Sequence, residues 1–250
     1  MKILAVLPFY CDESIIKFFE KFVPGDLAGD VDVVGLSREE AGSDWTGERI
    51  SDIAYSVPGF LNCVMDAEKR GYDAVINVCH ADRGIQEARE LVDIPVLGSL
   101  MVAMHISTIL GHRLCIIKPT LLGRLETELN IRGYGFEGRV VVRGIKSSAE
   151  GAFYAYQEYK AKGKLTPFVS DIVTECIKAI EEDRVDVITF GCGVLVWMKE
   201  VIDKELAKKG YIATVVNPFP AALEMARTLV KLKLTHNKIV YPKNVHKVFK

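Results

Sequence analysis

Two cysteines stand out for what leads up to them. Tyr72-Asp73-Ala74-Val75-Ile76-Asn77-Val78-Cys79 is an apolar run ending in a thiol, and Val185-Asp186-Val187-Ile188-Thr189-Phe190-Gly191-Cys192 is another. In parallel α/β sheets, ligands bind beyond the carboxyl ends of the strands, so a thiol at such an end is placed for chemistry. If two such lobes face each other across a cleft, the sulfurs reach one cavity from opposite sides. One thiolate then takes a hydrogen from a carbon acid, and the other thiol returns a proton to the far face of the planar enolate. Sulfur suits this work because an ordinary thiol titrates near ~8.5 and a helix N-terminus lowers that value. Residues 80–84 and 193–197 are predicted to begin helices, whose N–H groups would favour a thiolate or hold an anionic substrate oxygen.

The elements that must carry these thiols can be read from hydropathy. Eight short Val- and Ile-rich runs lack strict alternation, as strands covered on both faces do: residues 3–7, 31–35, 74–79, 95–98, 114–117, 140–142, 185–192 and 213–217. Helical patterns occupy 59–70, 85–91, 100–110, 172–182 and 221–232, and a basic-aromatic stretch at 154–164 reads as an exposed helix. The expected class is α/β, with parallel sheets flanked by helices. The two cysteine runs each follow a charged helix end and precede a short helix, a strand, a turn residue and an apolar helix. This internal echo predicts two similar lobes: residues 1–97 plus 217–250, and 98–216. The active-site cleft is expected between them.

Composition narrows the function. A formal net charge of −1 gives no generalised basic surface for nucleic acid. Ile3 to Leu7 is stopped by Pro8, too short for a signal-peptide core or a membrane span, so a cytoplasmic location is expected. The six cysteines show neither a CxxC pair nor zinc-type spacing, and no metal site is expected. Cys63, Cys115 and Cys176 lie inside predicted elements and read as core, as does His105 on its apolar helix.

At the cysteine runs the chain resembles the aspartate/glutamate/hydantoin racemase superfamily, and most closely its hydantoin and allantoin racemase branch. The segment GYDAVINVCHADRG from Gly71 resembles the first cysteine motif, with Asp82 and Gly84 in place. DVITFGCG from Asp186 resembles the second, and Val216-Asn217-Pro218 with Ala221-Ala222 resembles the closing strand and helix. The resemblance implies racemisation or epimerisation by Cys79 and Cys192 without pyridoxal phosphate, metal or other cofactor. It also implies a two-lobed fold, a small-molecule substrate and homo-oligomeric assembly. The pocket departs from the family pattern. An Asn-Pro-Asn type first loop is replaced by Leu7-Pro8-Phe9-Tyr10-Cys11, His80-Ala81 stands between the first Cys and Asp, and Gly193-Val194-Leu195 comes after the second Cys.

Candidate substrate contacts are Tyr10 after the first strand, Glu48 in the loop before the long helix, and His80 and Asp82 beside Cys79. Thr120, after the strand at 114–117, and Gly193, beside Cys192, complete the set. Asp82 also reads as a cap for the helix beyond it. The leading expectation is a racemase acting on a hydantoin or related amino-acid derivative. Its rivals are an aspartate/glutamate-type racemase, a maleate-like cis–trans isomerase that attacks a double bond through one Cys, and a non-catalytic ligand-binding protein.

Overall fold

The computed structural model describes residues 1–42 and 49–244. The chain forms two compact units. The first takes the described residues of 1–47, 51–99 and 219–250, and the second those of 48–50 and 100–218.

In the first unit, β1 (Ile3–Tyr10), β2 (Val31–Leu36), β3 (Ala74–Asn77) and β4 (Val96–Gly98) form a parallel sheet in the order β2-β1-β3-β4. In the second, β5 (Leu114–Lys118), β6 (Val140–Gly144), β7 (Val187–Phe190) and β8 (Thr214–Val216) repeat that arrangement as β6-β5-β7-β8. The registers repeat as well. Val75 pairs with Val96 in one sheet and Ile188 with Val215 in the other, so β3 and β7 hold equivalent inner places. These strands are wrapped on both faces, which is why their sequences run apolar without alternation. Ile3, Val6, Leu7, Ile76, Ile116 and Ile188 are all fully buried. Each such side chain contributes about 1.5–3 kcal/mol of burial free energy.

Helices complete each unit. The first has α1 (Glu13–Glu20), α2 (Arg38–Ala41), α3 (Ile50–Lys69), α4 (Ile85–Leu91) and α10 (Pro218–Lys231). The second has α5 (Ser99–Leu110), α6 (Arg124–Gly133), α7 (Ala149–Lys162), α8 (Pro167–Asp183) and α9 (Met198–Lys208). Asp12 starts α1 by accepting the N–H groups of Ser14 and Ile15, and Phe19 packs edge-on against Phe219 of α10. Beyond α10 the chain straps across the first unit: Val96 donates its N–H to His236 Nε2 at 2.8 Å, and Arg89 stacks under the Tyr241 ring.

All eight predicted strands form, with altered ends. β3 stops at Asn77 and β7 at Phe190, two residues short of each cysteine. A strand lasts only as long as its neighbours pair with it: Asn77 is the last residue paired with β1 and β4, and Phe190 the last paired with β5. α3 starts well before Gly59 and carries Pro58 inside it. His105 is exposed, with Nδ1 at 2.8 Å from the Met101 carbonyl, so the expectation of a core histidine is corrected: it lies on the outer face of α5.

Candidate active site

Each thiol sits two residues beyond the carboxyl end of an inner strand, Cys79 after β3 and Cys192 after β7. Both are half-buried. Both open a turn closed at the same distance: the Asp82 N–H donates to the Cys79 carbonyl at 3.1 Å, and the Leu195 N–H to the Cys192 carbonyl at 3.1 Å.

Beyond these turns the two units diverge. Cys192 is the N-cap of a 3-10 helix, Gly193–Trp197, that runs straight into α9. Its thiol therefore stands at a helix N-terminus, as the sequence predicts. After Cys79 no helix begins at 80–84. Those residues form a turn with Asp82 at φ +51° and Gly84 at φ +75°, and α4 starts only at Ile85. Its N-cap is Gly84, which corrects the expectation that Asp82 caps it. The left-handed backbone at 82 and 84 turns the chain too sharply for a helix to grow directly from the cysteine.

The Cys79 turn is braced from below. Asn77 is fully buried; its Oδ1 accepts the Cys79 N–H at 2.9 Å and its Nδ2 donates to the Arg83 carbonyl at 3.0 Å. Ser99 Oγ in turn donates to the Asn77 carbonyl at 2.8 Å. Sequence reasoning does not single out Asn77. The signal that could find it is a carboxamide inside an apolar run, since a buried polar group has to be hydrogen-bonded. In the second unit an Asn from the neighbouring strand end does similar work: Asn217 Nδ2 donates to the Val196 carbonyl at 2.7 Å, within the turn after Cys192. Gly191 lies tight against β5, where an added Cβ would come within 2.6 Å of Lys118 Cγ.

His80 and Asp82 share the Cys79 turn and are both buried. Tyr10 ends β1 after an irregularity in its pairing with β2, packs on the core and carries the Arg38 guanidinium 4.6 Å over its ring. Thr120 is buried two residues beyond β5, the neighbour of β7, and its hydroxyl oxygen accepts the Leu122 N–H at 3.1 Å. Gly193 is the first residue after Cys192. Glu48 lies outside the described residues. So His80, Asp82 and Cys79 come together on one turn of the first unit, and in the second Thr120, Cys192 and Gly193 follow the carboxyl ends of the adjoining inner strands β5 and β7.

The other thiols are held back by burial. It pushes the Cys63 thiol up to about 11, with Glu40 and Asp66 adding to the effect, and the Cys115 thiol up to about 12. Cys11 and Cys176 are raised too, again by burial first. Among the described residues no three His, Cys, Asp or Glu side chains gather as a metal site requires, and no helix is long and apolar enough to cross a membrane. A groove of about 560 Å³ runs along the outer edge of β6, away from both cysteines. Its charges pair among themselves as Arg124–Glu128, Arg132–Glu137 and Arg143–Asp183, which leaves little field for a ligand.

Residues 30–226 match the family described as Asp/Glu/Hydantoin racemase. A hydantoin racemase from a Pseudomonas species is 26% identical over 194 residues, spanning 77% of this chain and 72% of that protein. An allantoin racemase from Pseudomonas fluorescens superposes with a TM-score of 0.79 at 24% identity, covering 98% of this chain and 97% of that one. The allantoin racemase from Klebsiella pneumoniae gives a TM-score of 0.79 at 20% identity, over 98% and 94% of the two chains.

Proposed function

For a chain that belongs to the Asp/Glu/Hydantoin racemase family, as this one does, we propose cofactor-independent racemisation in which Cys79 and Cys192 exchange a proton with one carbon. The likeness of the hydantoin racemase and the two allantoin racemases supports a hydantoin or related ureido derivative as substrate. One observation carries the reading: two thiols occupy the same station, two residues past the third strand of identically ordered sheets.

The proposed step balances simply. One cysteine, as thiolate, takes the α-hydrogen, and the C–H electron pair moves into the adjacent carbonyl as an enolate. The other thiol donates its proton to the opposite face of the same carbon. The product has inverted configuration, and the thiol and thiolate have exchanged places. Acid–base transfer of this kind gives about 10²–10⁴-fold acceleration. Stabilisation of the enolate oxygen supplies the remainder. Gly193, at the N-terminus of the helix after Cys192, would serve that role, with Thr120 after the adjoining strand as a second group. On the other face His80 and Asp82 would orient the ring carbonyl and N–H, with Tyr10 as the wall. Glu48 completes the proposed set of contacts. Homo-oligomeric assembly belongs to the same proposal and is read by light scattering of the purified protein.

The test is incubation of single enantiomers of 5-substituted hydantoins and of aspartate and glutamate in deuterated water, read by chiral chromatography and mass spectrometry. Racemisation with one deuteron gained, lost in Cys79→Ser and in Cys192→Ser, is the expected result. Racemisation that survives either substitution, or no turnover of any of these compounds, overturns the reading.

A further inference from the structure

We propose that Asn77 is a positioning residue for the Cys79 thiol, holding both ends of the turn that presents it; the inference rests on the reading of Cys79 as a proton-transfer group. Nothing about the sheet requires an amide here. Asn77 lies between Ile76 and Val78, all three fully buried, and the corresponding position in β7, the last paired with β5 as Asn77 is the last paired with β1, is filled by Phe190, also fully buried. The fold accepts a plain hydrophobe at this place, so the carboxamide serves what lies beyond the strand.

Both side-chain hydrogen bonds of Asn77 run to the turn. Oδ1 takes the N–H of Cys79 itself, one bond from the Cα that carries the thiol side chain, and Nδ2 reaches the carbonyl of Arg83 four residues later. Between those anchors the chain passes through Asp82 in the left-handed region. Ser99 Oγ fixes the Asn77 main chain from the side. The amide is thus a strut: a rigid, desolvated group sets where the Cys79 backbone stands relative to the sheet. The second unit reaches a similar end with Asn217, which comes from a different strand and grips the Val196 carbonyl. The first turn lacks the helix that directly succeeds Cys192, and the strut takes over the work of holding the thiol in place.

The experiment compares Asn77→Leu, close in size and apolar, with Asn77→Asp, which keeps the acceptor and loses the donor. Iodoacetamide alkylation of Cys79 and Cys192 is monitored peptide by peptide against pH, alongside kcat and KM for racemisation and a thermal melt. A displaced thiol should lower kcat about 10–100-fold with KM changed far less. Asn77→Leu should change the Cys79 alkylation rate about threefold or more at fixed pH and leave Cys192 as in the wild type. Asn77→Asp should move the Cys79 profile to higher pH, because a carboxylate beside its N–H opposes the thiolate. Should Asn77→Leu not fold, Asn77→Val decides by the same Cys79 alkylation rate, because it removes both hydrogen bonds and adds no charge. Wild-type Cys79 rates and pH profile in the folded variants, with only the melt lowered, would reduce Asn77 to a structural residue and overturn the inference. Alkylation needs no turnover, so the two readings fail separately. A shifted Cys79 profile in a protein that racemises nothing removes the racemase reading, and an unshifted profile in an active racemase removes the strut.

Discussion

The carboxylate of Asp82 fills the space that a side chain on Gly98 would need: a Cβ added at Gly98 would lie 2.3 Å from Asp82 Oδ1. The turn that carries Cys79 therefore lies flat against the end of β4, and only glycine permits that approach. Gly98→Ala must push Asp82 away. We expect a loss of about 1–3 kcal/mol in stability from overpacking. Turnover should fall further than the folded fraction does, because the displaced residue shares the cysteine's turn. Denaturant titration and kcat on the same preparation check this; unchanged values for both would contradict the close packing.

The six cysteines should separate into two classes under a small alkylating reagent at neutral pH. Burial raises the thiols of Cys11, Cys63, Cys115 and Cys176. Each pKa unit removes about tenfold of the reactive thiolate. Cys79 and Cys192 should be modified first in the native protein, at least about tenfold faster than the four others. Peptide mapping after a timed pulse gives the order directly, and native labelling of Cys115 or Cys176 at comparable rates would refute it.

Much of the scaffold is legible in the sequence because it depends on local pattern. Strands buried on both faces are mostly apolar, and β1, β3, β5 and β7 announce themselves that way, with Asn77 and Thr189 as buried polar exceptions. Their ends are not legible, because the ladders with neighbouring strands stop at Asn77 and Phe190, and where a neighbour stops is not recorded in a strand's own residues. Helices α1, α6 and α9 escape the hydropathy pattern: α1 is only two turns long, α6 and α9 are short and largely polar, and α6 turns Leu125 and Leu129 outward, which blurs its buried stripe. The site shows the same division. The two thiols are visible as echoed strand ends, but the strut beneath one of them is a contact between Asn77 and residues 79 and 83 that exists only once the turn is folded.

Arg143 ties the edge strand β6 to the end of α8. Its Nε meets Asp183 Oδ2 at 2.5 Å, its Nη2 meets Glu182 Oε2 at 2.5 Å, and its Nη1 meets Glu175 Oε2 at 3.4 Å. The Arg143 side chain is 18% exposed, as is that of Glu175, so removing the cation strands carboxylates that water reaches poorly. Arg143→Met should cost about 1–3 kcal/mol, below the figure for a fully buried pair. Glu182 is well exposed and adds little. Arg143→Lys should recover only part, because an ammonium cannot serve three carboxylates in a fixed fork. Urea unfolding of the two variants provides the measurement.

Acid should loosen the strap before it reaches most carboxylates. Burial, then the charges of Arg89 and Lys238, lowers His236 from 6.5 to about 4, and its neutral Nε2 accepts the Val96 N–H. Between those values the unfolded chain binds the proton and the folded chain does not. Stability therefore rises with pH across the window and is lost as pH falls through it, by about 1–3 kcal/mol. His236→Gln keeps an acceptor without a titration and should flatten the profile between pH 6.5 and 4. A wild-type slope retained in that variant would place the proton elsewhere.

The two units have different histories on the ribosome. Nearly all of the second comes from one continuous stretch, residues 100–218, so its sheet can close as soon as that stretch has emerged. The first begins with β1 yet waits for α10 and the strap, which follow the second unit in the chain, before Phe19 meets Phe219 and Asp26 meets Arg227. A fragment ending at residue 218 would thus hold every strand of the second unit but an unfinished first one, whose open apolar surface is the kind that chaperones recognise.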